Sequence, residues 1–156
     1  SLQPLAEPGP NGAEETDFLF GPNPGEPLKA LRLIASSGEL ARVMLALKSA
    51  LASRDDTPLL VFDEIDANVG GEIARAVGCK MRELGSDHQV ISITHFPQVA
   101  ALANHHYLIS KVQSGERTVS RLNKVTGDAR VEELMRMLGT GGENARAHAM
   151  DLLQND

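Results

Sequence analysis

Apolar residues recur along this chain with two different periods, and these periods predict its elements. Helical spacing predicts helices over residues 38–53 and 71–84, whereas short apolar runs predict buried strands at 59–62 and 89–94. The apolar side chains expected to face inward are Leu40, Val43, Met44, Leu47 and Leu51 in the first helix, and Ile73, Val77, Met81 and Leu84 in the second. The other predicted elements are a strand at 17–20, a short helix at 97–103, a hairpin of 107–113 and 118–123, and helices at 129–138 and 143–153.

The order of these elements predicts an α/β fold. Strands that alternate with helices indicate a mostly parallel sheet with flanking helices, and the later hairpin adds an antiparallel edge. The first 27 residues are rich in Pro, Gly and Glu, and we expect a lead-in there: the end of a strand at 2–5, a loop at 7–15 and a loop at 21–25. Residues 28–156 are then expected to form the lobe itself.

Composition narrows the class of protein. The chain has 156 residues, of which 42% are apolar and 23% charged, as is normal for one soluble domain. It has no apolar run near the ~20 residues of a membrane-spanning helix, and no leader peptide is apparent. Its one cysteine, Cys79, cannot form an internal disulfide, which favours a reducing cytoplasm. A net charge of −6 and few aromatic residues argue against a large nucleic-acid surface in this chain alone.

Two acids follow the first predicted buried strand. Asp63 at the strand tip is placed to hold a hydrated Mg²⁺. Glu64, one residue further, is placed to accept a proton from a water molecule that attacks a phosphate. The alternative is a solvated strand end followed by an acid that starts a helix.

The second predicted strand ends at His95, a position from which a histidine could contact a γ-phosphate. The alternative is a hydrogen-bonded histidine at a sheet edge. Because ligands of parallel α/β sheets bind beyond the carboxyl ends of the strands, Asp63, Glu64 and His95 are expected to converge on one edge. The remaining histidines have no spacing typical of a metal site: His88, His105, His106 and His148.

Two polar segments flank these strands. Ser36, Ser37, Gly38 and Glu39 open the first long helix, where free N–H groups attract anions, and their S-x-x-E pattern also predicts a capping box. A glycine-bearing loop follows the acids and contains Asp66, Gly70 and Gly71. Its alternative is a plain connection from strand to helix.

A phosphate-cradling P-loop is absent from the sequence. The pattern G-x-x-x-x-G-K-[ST] occurs nowhere in the chain. The chain is therefore not a complete P-loop ATPase.

Taken in order, these segments resemble the C-terminal half of the head of an ABC-type ATPase, in the SMC-like branch that includes DNA-repair proteins. The order is a Ser-Gly-Glu helix start, a strand ending Asp-Glu, an Asp-x-x-x-Gly-Gly loop and a strand ending Thr-His. The segments that carry the resemblance are 18–20, 23–26, 35–46, 62–66, 94–100 and 133–139.

The resemblance implies a role for each candidate residue. Asp63 is similar to the Mg²⁺-supporting Walker B acid, Glu64 to the general base and His95 to the switch histidine. The D-loop at a dimer interface would comprise Asp66, Gly70 and Gly71. The signature motif, which contacts ATP bound to the opposite protomer, would comprise Ser36, Ser37, Gly38 and Glu39.

The resemblance also implies ligands, partners and a setting. The cofactors are ATP and Mg²⁺. The partners are the P-loop-bearing N-terminal half of the same head, which lies before a long coiled coil, a second head protomer, and DNA through the assembled full-length protein. No membrane partner is implied. The setting is double-strand-break repair and recombination in the cytoplasm, at the nucleoid.

One residue departs from the family pattern, and alternatives to this hypothesis remain. Ser37 stands where the family usually has glycine, so its side chain would crowd a bound phosphate if the backbone there needed a positive φ. The alternatives are the head of another SMC or Rad50-type ATPase, a transporter nucleotide-binding domain, and a non-hydrolysing dimerisation module.

Overall fold

The structure, a computed structural model, describes residues 1–10, 12–21, 25, 27–34, 36–54, 56–114, 117–139 and 141–154. The loop expected at 21–25 and the turn of the predicted hairpin lie partly outside these residues. The strands are β1 (Leu2–Gly9), β2 (Gly12–Thr16), β3 (Leu19–Phe20), β4 (Lys29–Ala30), β5 (Leu59–Asp63), β6 (Gln89–Ile93), β7 (His106–Ser114) and β8 (Arg117–Val125). The helices are α1 (Leu31–Ile34), α2 (Ser37–Leu51), a 3₁₀ turn (Ala52–Arg54), α3 (Gly71–Leu84), α4 (Pro97–Ala101), α5 (Gly127–Leu138) and α6 (Glu143–Gln154).

The predicted α/β class is confirmed. β5 and β6 pair in parallel, with α3 as the connection between them, and β7 and β8 form the predicted antiparallel hairpin. Within the described residues the strands form four separate two-stranded pairs, the other two being β1–β2 and β3–β4. The predicted helices at 38–53 and 71–84 correspond closely to α2 and α3.

The core consists of two clusters that α4 joins. The first packs side chains of β5 against α2 and α3: Leu45, Leu60, Phe62, Ile65, Ala74, Val77, Met81, Leu84 and Val99. The second packs α4 against α5 and α6: Ala100, Ala101, Val131, Leu134, Ala149 and Leu152. Because α4 supplies Val99 to one cluster and its neighbours to the other, it holds the end of β6 against the C-terminal helices.

The N-terminal loop prediction is wrong. Residues 7–15 lie mostly in an antiparallel ribbon of β1 and β2, which pairs Gly9 with Gly12 at its turn. Gly12 has φ 121°, a conformation that favours glycine. The ribbon buries neither face, so its sequence carries no alternation of apolar and polar residues. Without that alternation, the Pro and Gly content led to a loop prediction.

Two apolar surfaces that were expected to be buried are exposed. In β5, Leu60 and Phe62 point into the core, whereas the alternating Leu59 and Val61 are 44% and 59% exposed. Ile91 and Ile93 of β6 lie on the same exposed face of the sheet and are 44% and 53% exposed. The face of α2 that was predicted to point inward is also largely exposed. The α2 side chain that packs into the core is Leu45, which lies outside the predicted apolar face. The exposed side chains are Leu40, Met44, Leu47 and Leu51.

The prediction for α3 is confirmed at three of its four positions. Val77, Met81 and Leu84 are buried, whereas Ile73 in the first turn is exposed. None of the helices in the described part of the chain has the length and apolar character that a membrane crossing requires.

Candidate functional site

The parallel pairing brings Asp63 and His95 to the same edge of the sheet. Asp63, the last residue of β5, lies opposite Ile93, the last residue of β6, and His95 follows two positions later. Both polar side chains are exposed. The His95 ring also contacts the Phe96 ring, with centroids 4.6 Å apart and planes tilted by 48°. The strand-tip placement expected for these two residues is therefore observed.

The connection from β5 to α3 begins with a tight turn in an unusual conformation. Glu64 has φ 53° and Asn68 has φ 58°, and among the described residues only these two combine a side chain with a positive φ. The N–H of Ala67 donates to the carbonyl of Glu64 at 2.9 Å, which closes the turn. A left-handed backbone at a residue with a side chain costs about 1–3 kcal/mol, so the surroundings must hold it.

Asp66 holds this turn from one side. Its side chain is fully buried, and the hydroxyl of Thr94 donates a hydrogen bond to Oδ2. The Thr94 hydroxyl in turn accepts from the N–H of Phe96 at 2.9 Å. The second carboxylate oxygen of Asp66 is buried without a hydrogen-bond partner in the described part of the chain. In this conformation the Asp66 side chain ties the turn to the end of β6 and presents no atom to a second protomer.

The start of α2 is a capping box, as the sequence predicted. The Ser36 hydroxyl accepts from the N–H of Glu39 at 3.3 Å, and the Glu39 carboxylate accepts from the N–H of Ser36 at 2.7 Å. The backbone hydrogen bond from Ser36 lowers the pKa of Glu39, and the Ser36 side chain lowers it further. The N–H groups of the first helical turn that this box leaves free still point outward from the helix start.

Gly38 lies directly against the turn that follows β5. A Cβ at this position would lie 3.2 Å from Nη1 of Arg42 and 3.4 Å from the carbonyl oxygens of Glu64 and Ala67. The residue is buried, so a side chain would push the helix start away from the turn. The candidate signature segment and the turn carrying Glu64 are therefore in contact within one chain.

Arg42 connects α2 to the turn that follows β5, a role that the sequence did not indicate. Its Nη1 donates to the carbonyl of Ile65 at 3.0 Å and to the carbonyl of Ala67 at 3.3 Å. The available signal was its spacing, because Arg42 is four residues after Gly38 and so lies on the same face of α2. Nothing in the sequence identified backbone carbonyls as its acceptors.

The remaining candidate residues start helices. Ser37 is the first residue of α2 and does not have a positive φ, so the crowding that a left-handed backbone would produce does not arise in this conformation. Gly70 precedes α3 and is open to solvent. At Gly71 a Cβ would lie 3.2 Å from Nε2 of Gln98, so this glycine lets the start of α3 approach α4 closely.

The donor set at this edge suits Mg²⁺ in one specific way. Within the described residues, no three His, Cys, Asp or Glu side chains form a cluster able to enclose a metal ion. Mg²⁺ does not need such a cluster, because it is usually held by one or two carboxylates together with water and substrate phosphates. The exposed carboxylate of Asp63 fits that pattern.

Comparison with known proteins shows which proteins the chain resembles. No family model matches the chain. The chain is 49% identical over 142 residues to the DNA repair protein RecN of Xylella fastidiosa (strain Temecula1), covering 91% of this chain and 26% of that protein. It is 46% identical over 154 residues to RecN of Deinococcus radiodurans, covering 98% of this chain and 27% of that protein. Over 91–98% of its own length, the chain is therefore similar to one segment of these RecN proteins.

The chain spans only about a quarter of the length of these RecN relatives. Among solved structures, it matches the Smc head domain with a coiled coil and joint from Pyrococcus yayanosii, at 24% identity and a TM-score of 0.62, covering 81% of this chain and 23% of that one. It also matches the Pyrococcus furiosus Smc head domain bound to the C-terminal domain of ScpA, at 25% identity and a TM-score of 0.57, covering 83% and 29%. These matches confirm the predicted resemblance to SMC-like heads.

Proposed function

We propose that this RecN-like segment is the signature-bearing part of an ATPase head that hydrolyses ATP between two protomers and acts in DNA repair. One observation carries the proposal. Glu64 stands at the tip of a parallel strand, on the same sheet edge as His95, and the start of α2 packs against its turn. A solved structure with a similar fold belongs to work on the ATP-driven dimerization and DNA stimulated activation of SMC ATPases.

Each side chain has a stated task in this proposal. Asp63 holds Mg²⁺, which neutralises charge on the phosphates when it is bound. Glu64 accepts the proton of the attacking water, and His95 contacts the γ-phosphate. The N–H groups of Ser37 and Gly38, which the capping box does not use, receive the phosphate of ATP bound to the other protomer. Gly70 and Gly71 form the end of the D-loop that has no side chains, while Asp66 holds that loop in place.

The phosphate cradle comes from another part of the protein. This chain has no P-loop motif, and its RecN relatives are about three and a half times as long. The exposed sheet surface formed by Leu59, Val61, Ile91 and Ile93 supports docking of a P-loop-bearing half, because contiguous apolar surface of this kind is normally covered. We place the full-length protein in the cytoplasm, at the nucleoid. There the DNA contacts the head that the two halves form together.

The test compares two glutamate variants in the full-length protein. Glu64→Gln removes the proton acceptor while keeping size and hydrogen-bonding capacity, so kcat for ATP hydrolysis should fall about 100-fold or more. ATP binding and the ATP-dependent dimer should persist. Glu132→Gln is the matched control, because Glu132 is an exposed glutamate on α5 to which the proposal gives no role. Wild-type hydrolysis by Glu64→Gln would contradict the proposal.

A further inference from the structure

We propose that Arg42 is a positioning residue that couples the signature segment (residues 36–39) to Glu64. The proposal rests on the proposed function, since it concerns the same two halves of the site. It assigns to Arg42 the task of fixing the turn from which Glu64 projects.

The first support is the geometry of the guanidinium group. Arg42 Nη1 donates to two carbonyls, of Ile65 and Ala67, at 3.0 and 3.3 Å. Both acceptors lie in the turn directly after Glu64, and both bonds are partly buried. Hydrogen bonds from a charged donor are stronger than those between neutral groups, and water screens them less when they are partly buried.

The second support is the conformation of the turn. Glu64 and Asn68 are both left-handed, and the two carbonyls that Arg42 binds lie between them. Such a turn persists only where its surroundings over-determine it. Arg42 holds the turn from the side of α2, whereas Thr94 holds Asp66 from the side of β6. Releasing Arg42 leaves the turn held from one side only.

The third support is the contact between Gly38 and the same turn. Gly38 and Arg42 are one helical turn apart, and both lie against the carbonyls of residues 64–67. A shift of the α2 start is therefore transmitted to the turn directly through packed atoms. In a head dimer the signature segment contacts ATP held by the partner, while Glu64 acts on ATP held by its own protomer. Arg42 thus connects the two nucleotide sites.

The experiment uses full-length protein with Arg42→Met and Arg42→Lys. Methionine keeps the length of the side chain without a donor, and lysine keeps a positively charged donor. We expect Arg42→Met to lower kcat by about 10- to 100-fold, the effect of a small misplacement of a reacting group, with KM for ATP changed less than about twofold. Arg42→Lys should recover part of the loss. The Hill coefficient for ATP should fall towards one in Arg42→Met.

The control is Lys80→Met, which removes an exposed cation from α3 that pairs with Glu83, three residues later on the same helix, at 2.6 Å. Its kcat and Hill coefficient should match those of the wild type. All rates are divided by the folded fraction measured by thermal unfolding, so a loss of fold alone is separated from mispositioning.

Two results would overturn the inference. Wild-type kcat per folded molecule in Arg42→Met would show that the turn does not need the guanidinium. A Hill coefficient of one in the wild type would show that the two sites are not coupled. If Glu64→Gln lowers kcat by about 100-fold or more while Arg42→Met keeps the wild-type kcat, only this inference fails. If Glu64→Gln hydrolyses ATP normally, the proposed function fails as well.

Discussion

The hydroxyl of Thr94 donates a hydrogen bond to the fully buried carboxylate of Asp66, and this bond joins the ends of the two parallel strands. Thr94 is the first residue after β6, and Asp66 lies three residues after β5. A buried carboxylate is costly unless it is hydrogen-bonded. The bond therefore stabilises the relative position of the two strand ends from which Asp63, Glu64 and His95 project.

Replacing Thr94 with valine should lower the stability of the fold, because it removes this bond. Thr94→Val keeps the branched shape but leaves the buried carboxylate of Asp66 without its donor and the N–H of Phe96 without its acceptor. The free energy of unfolding, measured by denaturant titration, should fall by about 1–3 kcal/mol. Thr118→Val in the exposed strand β8 is the control and should change it by less than about 0.5 kcal/mol. Equal effects of the two substitutions would contradict the structural importance of the bond.

The capping box gives a second expectation. Ser36→Ala removes the hydroxyl that accepts from Glu39 N–H, so the free energy of unfolding should fall by about 1 kcal/mol. Ser120→Ala, at an exposed position in β8, is the control. The lowered pKa of Glu39 should largely persist in Ser36→Ala, because the backbone N–H of Ser36 is its main cause. A pKa that returns to its ordinary value, followed by NMR titration, would contradict that assignment.

The close contact between α3 and α4 gives a third expectation. A Cβ at Gly78 would lie 2.7 Å from Cδ1 of Leu102, a buried side chain, and 3.4 Å from Cα of Val99. Gly78→Ala should therefore lower the free energy of unfolding by about 1–3 kcal/mol, despite the better helix propensity of alanine. Gly141→Ala is the control, because a Cβ there meets no atom within 4 Å. A thermal midpoint for Gly78→Ala at or above that of the wild type would show that the two helices can separate without cost.

The sequence predicted the site edge well because local signals and topology agree there. Apolar runs that end in Asp63 and in Thr94-His95 identify strand tips, and a helical crossover such as α3 is the connection that parallel strands require. The capping box at Ser36 and Glu39 was predicted for the same reason, since its residues are neighbours in sequence.

The remaining features depend on contacts that sequence periodicity does not encode. Arg42 finds its acceptors on backbone carbonyls more than twenty residues away, and any residue type presents such a carbonyl. The resemblance implied that Asp66 lies in a D-loop at a protomer interface, but nothing in the sequence indicated that Thr94 would donate a hydrogen bond to its buried side chain. The apolar positions of β5 and α2 were correctly recognised as apolar. Periodicity alone could not show which of their faces this chain covers itself.

The last expectation concerns pH and His106, the half-buried first residue of β7. Burial disfavours the charged imidazolium and lowers the pKa of His106, and the positive charge of Arg130 lowers it further, against an opposing effect of Glu133. In the unfolded chain the pKa returns to about 6.5. As pH falls through that value, the unfolded chain binds the proton more readily than the folded one, so the stability contributed by neutral His106 is lost.

The free energy of unfolding should therefore fall between about pH 7.5 and about pH 5.5, and part of this fall should disappear in His106→Gln. The reason is that glutamine cannot take up a proton in either state, so position 106 no longer contributes to the pH dependence. His148→Gln, at an exposed position on α6, is the control and should keep the wild-type slope. Denaturant titrations at the two pH values measure the difference directly. If His106→Gln loses as much stability as the wild type, the buried imidazole does not account for the acid sensitivity of the fold.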